Sequence, residues 1–136
     1  MLKNIEVLCH SSIRIDKEKI IYVDPFKIDN NYNDADMIFI THDHYDHYSE
    51  DDIDKVKKEG TIIIAPEELL TKLLVKGYNK NDIVTVEPNK QYTLEGIKFE
   101  TIKWKRGIAM KFSNYIMSQS SKDIDKFSRK FSNILN

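Results

Sequence analysis

Short apolar runs alternate with polar turns along most of this chain, and their patterns predict its first elements. Residues 5–8, 12–15 and 19–23 are rich in β-branched or alternating apolar positions, which is typical of strands. Residues 37–40 form an uninterrupted apolar run that is too short for a helix, so we expect a fully buried strand there. The chain therefore begins as β structure.

Two helices are predicted further along the chain. Ser49 has the spacing of a capping box with Asp52, and we expect the helix that it begins to end at Gly60. Leucines at helical spacing over residues 69–74 predict a second helix, which ends at Gly77. Apolar runs bounded by turn residues predict further strands, with a tight turn between the last two, over residues 61–64, 83–86, 91–94 and 97–102.

This order of strands and helices predicts an α/β or α+β fold in which helices pack on sheet. A chain of 136 residues is long enough for one domain with its own core. We assign residues 1–105 to that unit and treat residues 106–136 as a divergent tail, either in the same domain or as an interface element. Within the tail, residues 118–136 have apolar positions at helical spacing, which predicts an amphipathic helix that packs on its own domain or on a partner.

Composition narrows the classes of function. The net charge of −1 gives no electrostatic reason to expect nucleic acid or an anionic membrane surface as a partner. Cys9 is the only cysteine, so no internal disulfide can form, as is usual in the reducing cytoplasm. The first residues lack the apolar core of a secretory signal, and no apolar stretch reaches the length of a membrane span. We therefore expect a cytoplasmic protein without a membrane segment.

The candidate chemistry lies directly behind the apolar run at residues 37–40. Three of the four histidines, His42, His44 and His47, fall within six residues and are interleaved with aspartates. Imidazole and carboxylate are the groups that bind divalent cations. On an extended segment His42 and His44 point to the same side, while Asp46 and His47 lie where the chain turns and would face a second cation. The alternative is a surface loop that is rich in histidine and binds metal adventitiously, but the density of ligands behind a buried strand favours a metal site.

A family resemblance rests on this cluster. The pattern His-x-His-x-Asp-His at residues 42–47 is the signature of the metallo-β-lactamase superfamily. The likeness extends to residues 9–12, 24–26 and 40–49, and it covers the part of the chain that precedes the tail. In these segments the chain resembles the small metal-dependent hydrolases of that superfamily, with the ascorbate-6-phosphate lactonase-like proteins as the named relatives that we suggest.

The resemblance implies a fold and a metal site. The fold would be the N-terminal half of an αββα sandwich, here with an extra C-terminal helix. By analogy His42 and His44 would bind a first metal, and Asp46 and His47 would bind a second. Asp46 would also act in catalysis by steering the attacking hydroxide. The expected cofactor is zinc, as one or two ions, with manganese as the alternative because of the carboxylate share of the ligands.

Other positions support the resemblance or depart from it. His10 and Asp24 match positions that lie near the site in such relatives, and we carry them over as supporting residues or substrate contacts. The family completes its site with two further histidines and a bridging aspartate from the C-terminal half of the fold. This chain has no histidine after His47. We therefore expect weak or absent turnover from the chain alone.

Two hypotheses follow for the function. The first is a metal-dependent hydrolase in which a metal-bound hydroxide attacks an ester, lactone or phosphoester of a small-molecule substrate. The second is a truncated, non-catalytic module that binds metal or a partner. A half-sandwich would expose apolar sheet, so we also expect self-association, either through that sheet or through the helix predicted at residues 118–136.

Overall fold

The computed structural model describes residues 5–9, 12–104 and 107–112, and within them the chain forms nine strands and two α-helices. The strands are β1 (Ile5–Cys9), β2 (Ser12–Asp16), β3 (Ile20–Val23), β4 (Met37–Phe39), β5 (Ile62–Pro66), β6 (Ile83–Val86), β7 (Gln91–Leu94), β8 (Ile97–Trp104) and β9 (Gly107–Phe112). The helices are α1 (Glu50–Val56) and α2 (Leu70–Lys76). Strands β1 to β6 form one sheet in sequence order, and β7 to β9 form a second.

The first sheet changes from antiparallel to parallel at β3. Strands β1, β2 and β3 are antiparallel neighbours, whereas β3, β4, β5 and β6 run parallel to one another. In the parallel part Val23 pairs with Phe39, and Phe39 pairs with Ile64. The segments that follow β3 and β4 therefore leave the sheet at the same edge, which is where the histidine-rich segment begins.

The layers follow from the alternation of side chains along the buried strands. In β4, Met37 and Phe39 point into the core between the two sheets, while Ile38 points into the core beneath the helices. Within the core between the sheets, the ring of Phe39 packs edge-on against Phe99 and Phe112, at centroid distances of 4.9 and 4.8 Å. The order of layers is helices, first sheet, second sheet, and the predicted α+β class is confirmed.

Helix α1 begins as predicted and ends early. Ser49 Oγ accepts from the Asp52 amide at 3.4 Å and donates to the Asp52 carboxylate at 2.6 Å. The helix ends at Val56, so the prediction that Gly60 stops it was wrong. Lys57 leaves the helix with an extended backbone, and the Lys58 amide then donates to Thr61 Oγ1 at 2.9 Å, in the turn that leads to β5. Helix α2 ends as predicted, at Gly77 with a φ of 109°.

The second sheet contains one strand that the sequence pattern did not predict. The turn predicted between β7 and β8 is confirmed, because Glu95 and Gly96 both have positive φ values, 51° and 79°. Strand β9 lies in the segment that was treated as tail, yet it pairs with β8 from Phe112 back to Gly107. The helix predicted over residues 118–136 lies outside the described residues. In the part of the chain that the structure describes, no helix has the length and apolar character needed to cross a bilayer.

Candidate metal centre

The candidate site forms at the edge where β3 and β4 end. Asp24 follows β3 with a φ of 48°, a conformation that Asp tolerates better than most residues. Its amide donates to the carbonyl oxygen of Phe39, the last residue of β4, at 2.8 Å. This bond brings the end of one strand against the beginning of the histidine-rich segment. Asp24 and Thr41 are therefore neighbours in space, although they are far apart in sequence.

The carboxylate of Asp24 is completely buried and is held by three hydrogen bonds. Its Oδ1 accepts from the Thr41 amide at 2.8 Å, and its Oδ2 accepts from Thr41 Oγ1 at 2.6 Å. Oδ2 also lies 2.8 Å from Nδ1 of His47, which is its third partner. A buried carboxylate needs such partners to offset its desolvation. Asp24 therefore holds Thr41 and His47 in position from the buried side of the site.

These bonds assign the hydrogens on two imidazole rings. Because Asp24 accepts, Nδ1 of His47 carries a hydrogen and donates it to the carboxylate. The Thr41 hydroxyl also gives its hydrogen to Asp24, so Thr41 Oγ1 accepts from His42 Nδ1, which lies 2.9 Å away. In the neutral rings, both Nε2 atoms are left with a lone pair that can bind a cation. This support of Nδ1 by an oxygen acceptor is the arrangement that orients histidine ligands in metal proteins.

The two rings differ in their affinity for protons. Burial first, and then the neighbouring His47 and His44, together lower the pKa of His42 to about 4. His42 is therefore neutral at pH 7, the form in which a histidine binds metal. Burial also acts to lower the pKa of His47, but the hydrogen bond and charge of Asp24 outweigh it, so the pKa of His47 is raised. Complete burial raises the pKa of Asp24, against the opposing effect of His47 and Thr41.

The histidine-rich segment is a turn. The amides of His47 and Tyr48 both donate to the carbonyl oxygen of His44, at 2.9 and 2.7 Å. The turn expected where Asp46 and His47 lie is therefore present, whereas a bend at Asp43 and His44 replaces part of the extended run expected for His42 to His44. The ring of His42 lies closest to that of His47, with centroids 3.7 Å apart, while the centroid of His44 lies 4.9 Å from that of His42.

The two aspartates of the segment lie in different directions. Asp46 is partly buried, and its Oδ1 lies 3.6 Å from Nε2 of His47, next to the predicted ligands. Asp43 instead forms an ion pair with Lys72 of α2 at 3.1 Å. The Lys72 hydrogen bond lowers the pKa of Asp43. Asp46 is therefore the aspartate of the segment that belongs with the imidazoles.

The side-chain types of the cluster suit a divalent cation, but their positions in this structure do not surround one. His42 and His47 are buried, whereas His44 is exposed. Among the described residues, no three side chains of His, Cys, Asp or Glu converge in a way that would hold an ion. A bound cation would therefore need the exposed His44 or the partly buried Asp46 to join the two buried rings.

The sequence pattern indicated most residues of this cluster, but not Thr41 or Gly107, which also contact it. His10, which was predicted to lie near the site, is outside the described residues. Thr41, which links Asp24 to His42, was not singled out, although its hydroxyl directly precedes the first histidine. Gly107 of β9 packs against the same peptide, and no local pattern marks it.

Comparisons with known proteins agree with this architecture. The family model of the beta-lactamase superfamily domain matches residues 4–116. A UPF0173 metal-dependent hydrolase from Geobacillus sp. (strain WCH70) is 38% identical over 78 residues, which cover 52% of this chain and 34% of the relative. The chain thus spans about a third of the length of the curated relatives that it matches.

Solved structures share the fold. A Parabacteroides distasonis protein assigned as a metal-dependent hydrolase is 26% identical with a TM-score of 0.67, over 80% of this chain and 55% of that one. CmlA, a diiron β-hydroxylase from Streptomyces venezuelae, is 14% identical with a TM-score of 0.64, over 81% of this chain and 27% of that one. At that identity the likeness concerns the fold alone, and a fold does not determine the chemistry of its site.

Proposed function

Because this chain belongs to the beta-lactamase superfamily, we propose that it carries the metal-binding part of a metal-dependent hydrolase. The observation that supports this most directly is the Asp24 network. It orients His42 and His47 side by side and engages Nδ1 of both rings, so Nε2 is the atom of each ring that would bind a cation. The proposal also follows the name of the Geobacillus relative, a metal-dependent hydrolase.

The residues divide the work as follows. His42 and His47 would hold the metal through Nε2, with the exposed His44 as a third ligand. Asp46 serves as a ligand and as the carboxylate that accepts a proton from the attacking water, because it lies beside His47 and is partly open to solvent. A bound divalent cation would lower the pKa of a water molecule and polarise a substrate oxygen. We propose zinc, with manganese as the alternative because a carboxylate takes part.

The substrate that we propose is a small molecule with an ester, lactone or phosphoester bond. A cavity of about 570 Å³ opens beside the histidine-rich segment, between that segment and α2. Its lining includes the exposed side chains of Tyr45 and Val75 and the ion pair of Asp43 with Lys72. This mixture of apolar and charged groups suits a small organic molecule with a polar reactive group. The single cysteine agrees with a cytoplasmic location, which we also propose.

Zinc binding by the purified chain of 136 residues tests the proposal. We expect His42→Ala and His47→Ala each to lower the zinc content, measured by mass spectrometry after dialysis, and to weaken binding in calorimetry. Asp43→Asn is the matched control, because Asp43 lies in the same segment but faces Lys72. Hydrolysis of lactone and phosphodiester substrates with added zinc tests turnover. A wild-type chain that retains no zinc, or a control that loses as much as His42→Ala, contradicts the proposal.

A second candidate function is a non-catalytic module that binds metal and self-associates. It is favoured by the incomplete convergence of ligands among the described residues. The edge strand β1 also exposes Val7 by 53%, an apolar position at which a second copy could pack. In this case zinc raises the melting temperature without conferring turnover, and light scattering at micromolar concentrations gives the mass of a dimer. Robust hydrolysis by a monomer contradicts this candidate.

A further inference from the structure

Strand β9 of the second sheet contacts the histidine-rich segment directly. The Ile108 amide donates to the carbonyl oxygen of Thr41 at 2.9 Å. The side chain of Ile108 is buried in the core between the two sheets. The peptide that precedes His42 is therefore hydrogen-bonded to the second sheet, while the Thr41 side chain is bonded to Asp24, which follows β3 of the first.

Gly107 allows this close approach. A Cβ atom built on Gly107 would lie 2.5 Å from His42 Cβ and 3.1 Å from His42 Cα, and it would also overlap the carbonyl oxygen of Thr41. Any side chain at this position would displace the His42 backbone. The other glycines of the chain have positive φ values and no heavy atom within 4 Å of such a Cβ: Gly60, Gly77 and Gly96. Position 107 thus needs glycine because a side chain would not fit there, whereas the other three positions need it because their backbone has a positive φ.

We propose that Gly107 is a positioning residue of the metal site. By its missing side chain, it lets β9 lie against the Thr41–His42 peptide and fix the direction of the His42 ring. The role rests on the proposed function, because it concerns His42 as a metal ligand. It is a role for a residue of the second sheet, outside the histidine-rich segment. The two sheets therefore act on His42 together, Asp24 through the Thr41 side chain and β9 through the Thr41 carbonyl.

Gly107→Ala tests the role through zinc affinity. We expect binding in calorimetry to weaken by about 10- to 100-fold, the usual effect of disturbing a residue that orients a metal ligand. Lys111→Ala is the matched control, because Lys111 is exposed on the same strand, and its zinc affinity should equal that of the wild type. An affinity of Gly107→Ala that equals the wild-type value would overturn the proposal.

The ring tautomer of His42 separates positioning from general stability. In metal-free wild type at about pH 8, nitrogen NMR of the histidine rings should show hydrogen on Nδ1 of His42. In Gly107→Ala we expect a mixture of tautomers at His42 in the folded protein. A purely structural role would lower the melting temperature and leave the His42 tautomer unchanged, which would contradict the proposal. A wild type that binds no zinc would refute the proposed function, while the tautomer still decides the role of Gly107.

Hydrogen exchange of the wild type covers the case in which Gly107→Ala does not fold. Zinc should slow exchange of the Ile108 amide more than that of the Asp36 amide. Asp36 is the internal control, because its amide bonds Ile20 O at 2.8 Å at the opposite end of the sheet. An equal change at both amides would show global stabilisation only and would overturn the link between β9 and the site.

Discussion

At the scale of single residues, one buried carboxylate determines the order of the site. Asp24 accepts three hydrogen bonds, and through them it sets the tautomers of His42 and His47. Thr41 transmits this effect to His42, because its hydroxyl is donor to Asp24 and acceptor from the ring. The orientation of both imidazoles therefore depends on a buried residue whose two carboxylate oxygens already accept hydrogen bonds.

Asp24→Asn should damage both stability and metal binding. An amide has a single acceptor oxygen, so at least one of the buried donors on Thr41 and His47 loses its partner, at a cost of about 1–3 kcal/mol. Zinc affinity should fall by about 10- to 100-fold, because the ring of His47 is no longer oriented. Urea unfolding and calorimetry measure the two effects. Asp43→Asn is the control. An Asp24→Asn variant whose stability and zinc affinity equal those of the control would contradict the prediction.

At the scale of elements, a second aspartate links neighbouring strands at the opposite end of the first sheet, where β3, β4 and β5 begin. Asp36 precedes β4, and its carboxylate accepts from the Ile20 amide at 2.8 Å and pairs with Lys58 at 3.1 Å. Its backbone exchanges further bonds with Ile20 O and with the Ile62 amide. Asp36 thereby aligns the beginnings of β3, β4 and β5, as Asp24 aligns the segments that follow β3 and β4.

The contribution of Asp36 should depend on pH. Burial acts to raise its pKa, but the Ile20 amide and Lys58 outweigh it, so the pKa of Asp36 is lowered on folding. A lowered pKa means that the folded state binds fewer protons. Its stabilisation is therefore present above the ordinary Asp pKa of about 4 and is lost as the pH falls through the folded value.

Asp36→Asn measures this effect in urea unfolding. We expect the variant to be less stable than the wild type at neutral pH and the difference to shrink in acid. Glu59→Gln, an exposed neighbour in the turn before β5, should show no such trend. A difference between wild type and Asp36→Asn that stays constant across this pH range would contradict the assignment.

The sequence pattern predicted those elements whose signal is local. Buried strands such as β4 and the cap of α1 at Ser49 depend on neighbouring residues, so periodicity and capping chemistry identify them. The histidine cluster was recognised for the same reason. Its turn at Asp46 and His47 was predicted too, whereas its hydrogen bonds to Asp24 follow no local pattern, because Asp24 is distant in sequence. Strand β9 and the role of Gly107 depend on contacts between the sheets, which no short window contains.

At the scale of the whole molecule, aromatic rings join the two sheets. Phe39 of the first sheet contacts Phe99 and Phe112 of the second, and Phe112 belongs to the same strand as Gly107. The core that holds the sheets together therefore also holds β9 against the histidine-rich segment. The proposed metal binding should therefore depend on the same packing as stability.

Phe39→Ala should lower the free energy of unfolding by about 3–5 kcal/mol, because it leaves a cavity between the sheets. We expect zinc affinity to fall as well, since β9 loses the packing that holds it beside Thr41. Phe39→Leu keeps most of the volume and should lose less of both. Denaturant unfolding measures the first quantity and calorimetry the second. A zinc affinity that Phe39→Ala leaves unchanged would contradict the dependence of zinc binding on this core.

The contact between Ile108 and Thr41 also constrains the order of events during synthesis. The ribosome completes β4 and all the histidines of the cluster long before it reaches β9. While only the first sheet has left the ribosome, the Thr41 carbonyl beside His42 lacks the hydrogen bond from the Ile108 amide. The histidine-rich segment therefore reaches its final conformation late, after β9 has been translated.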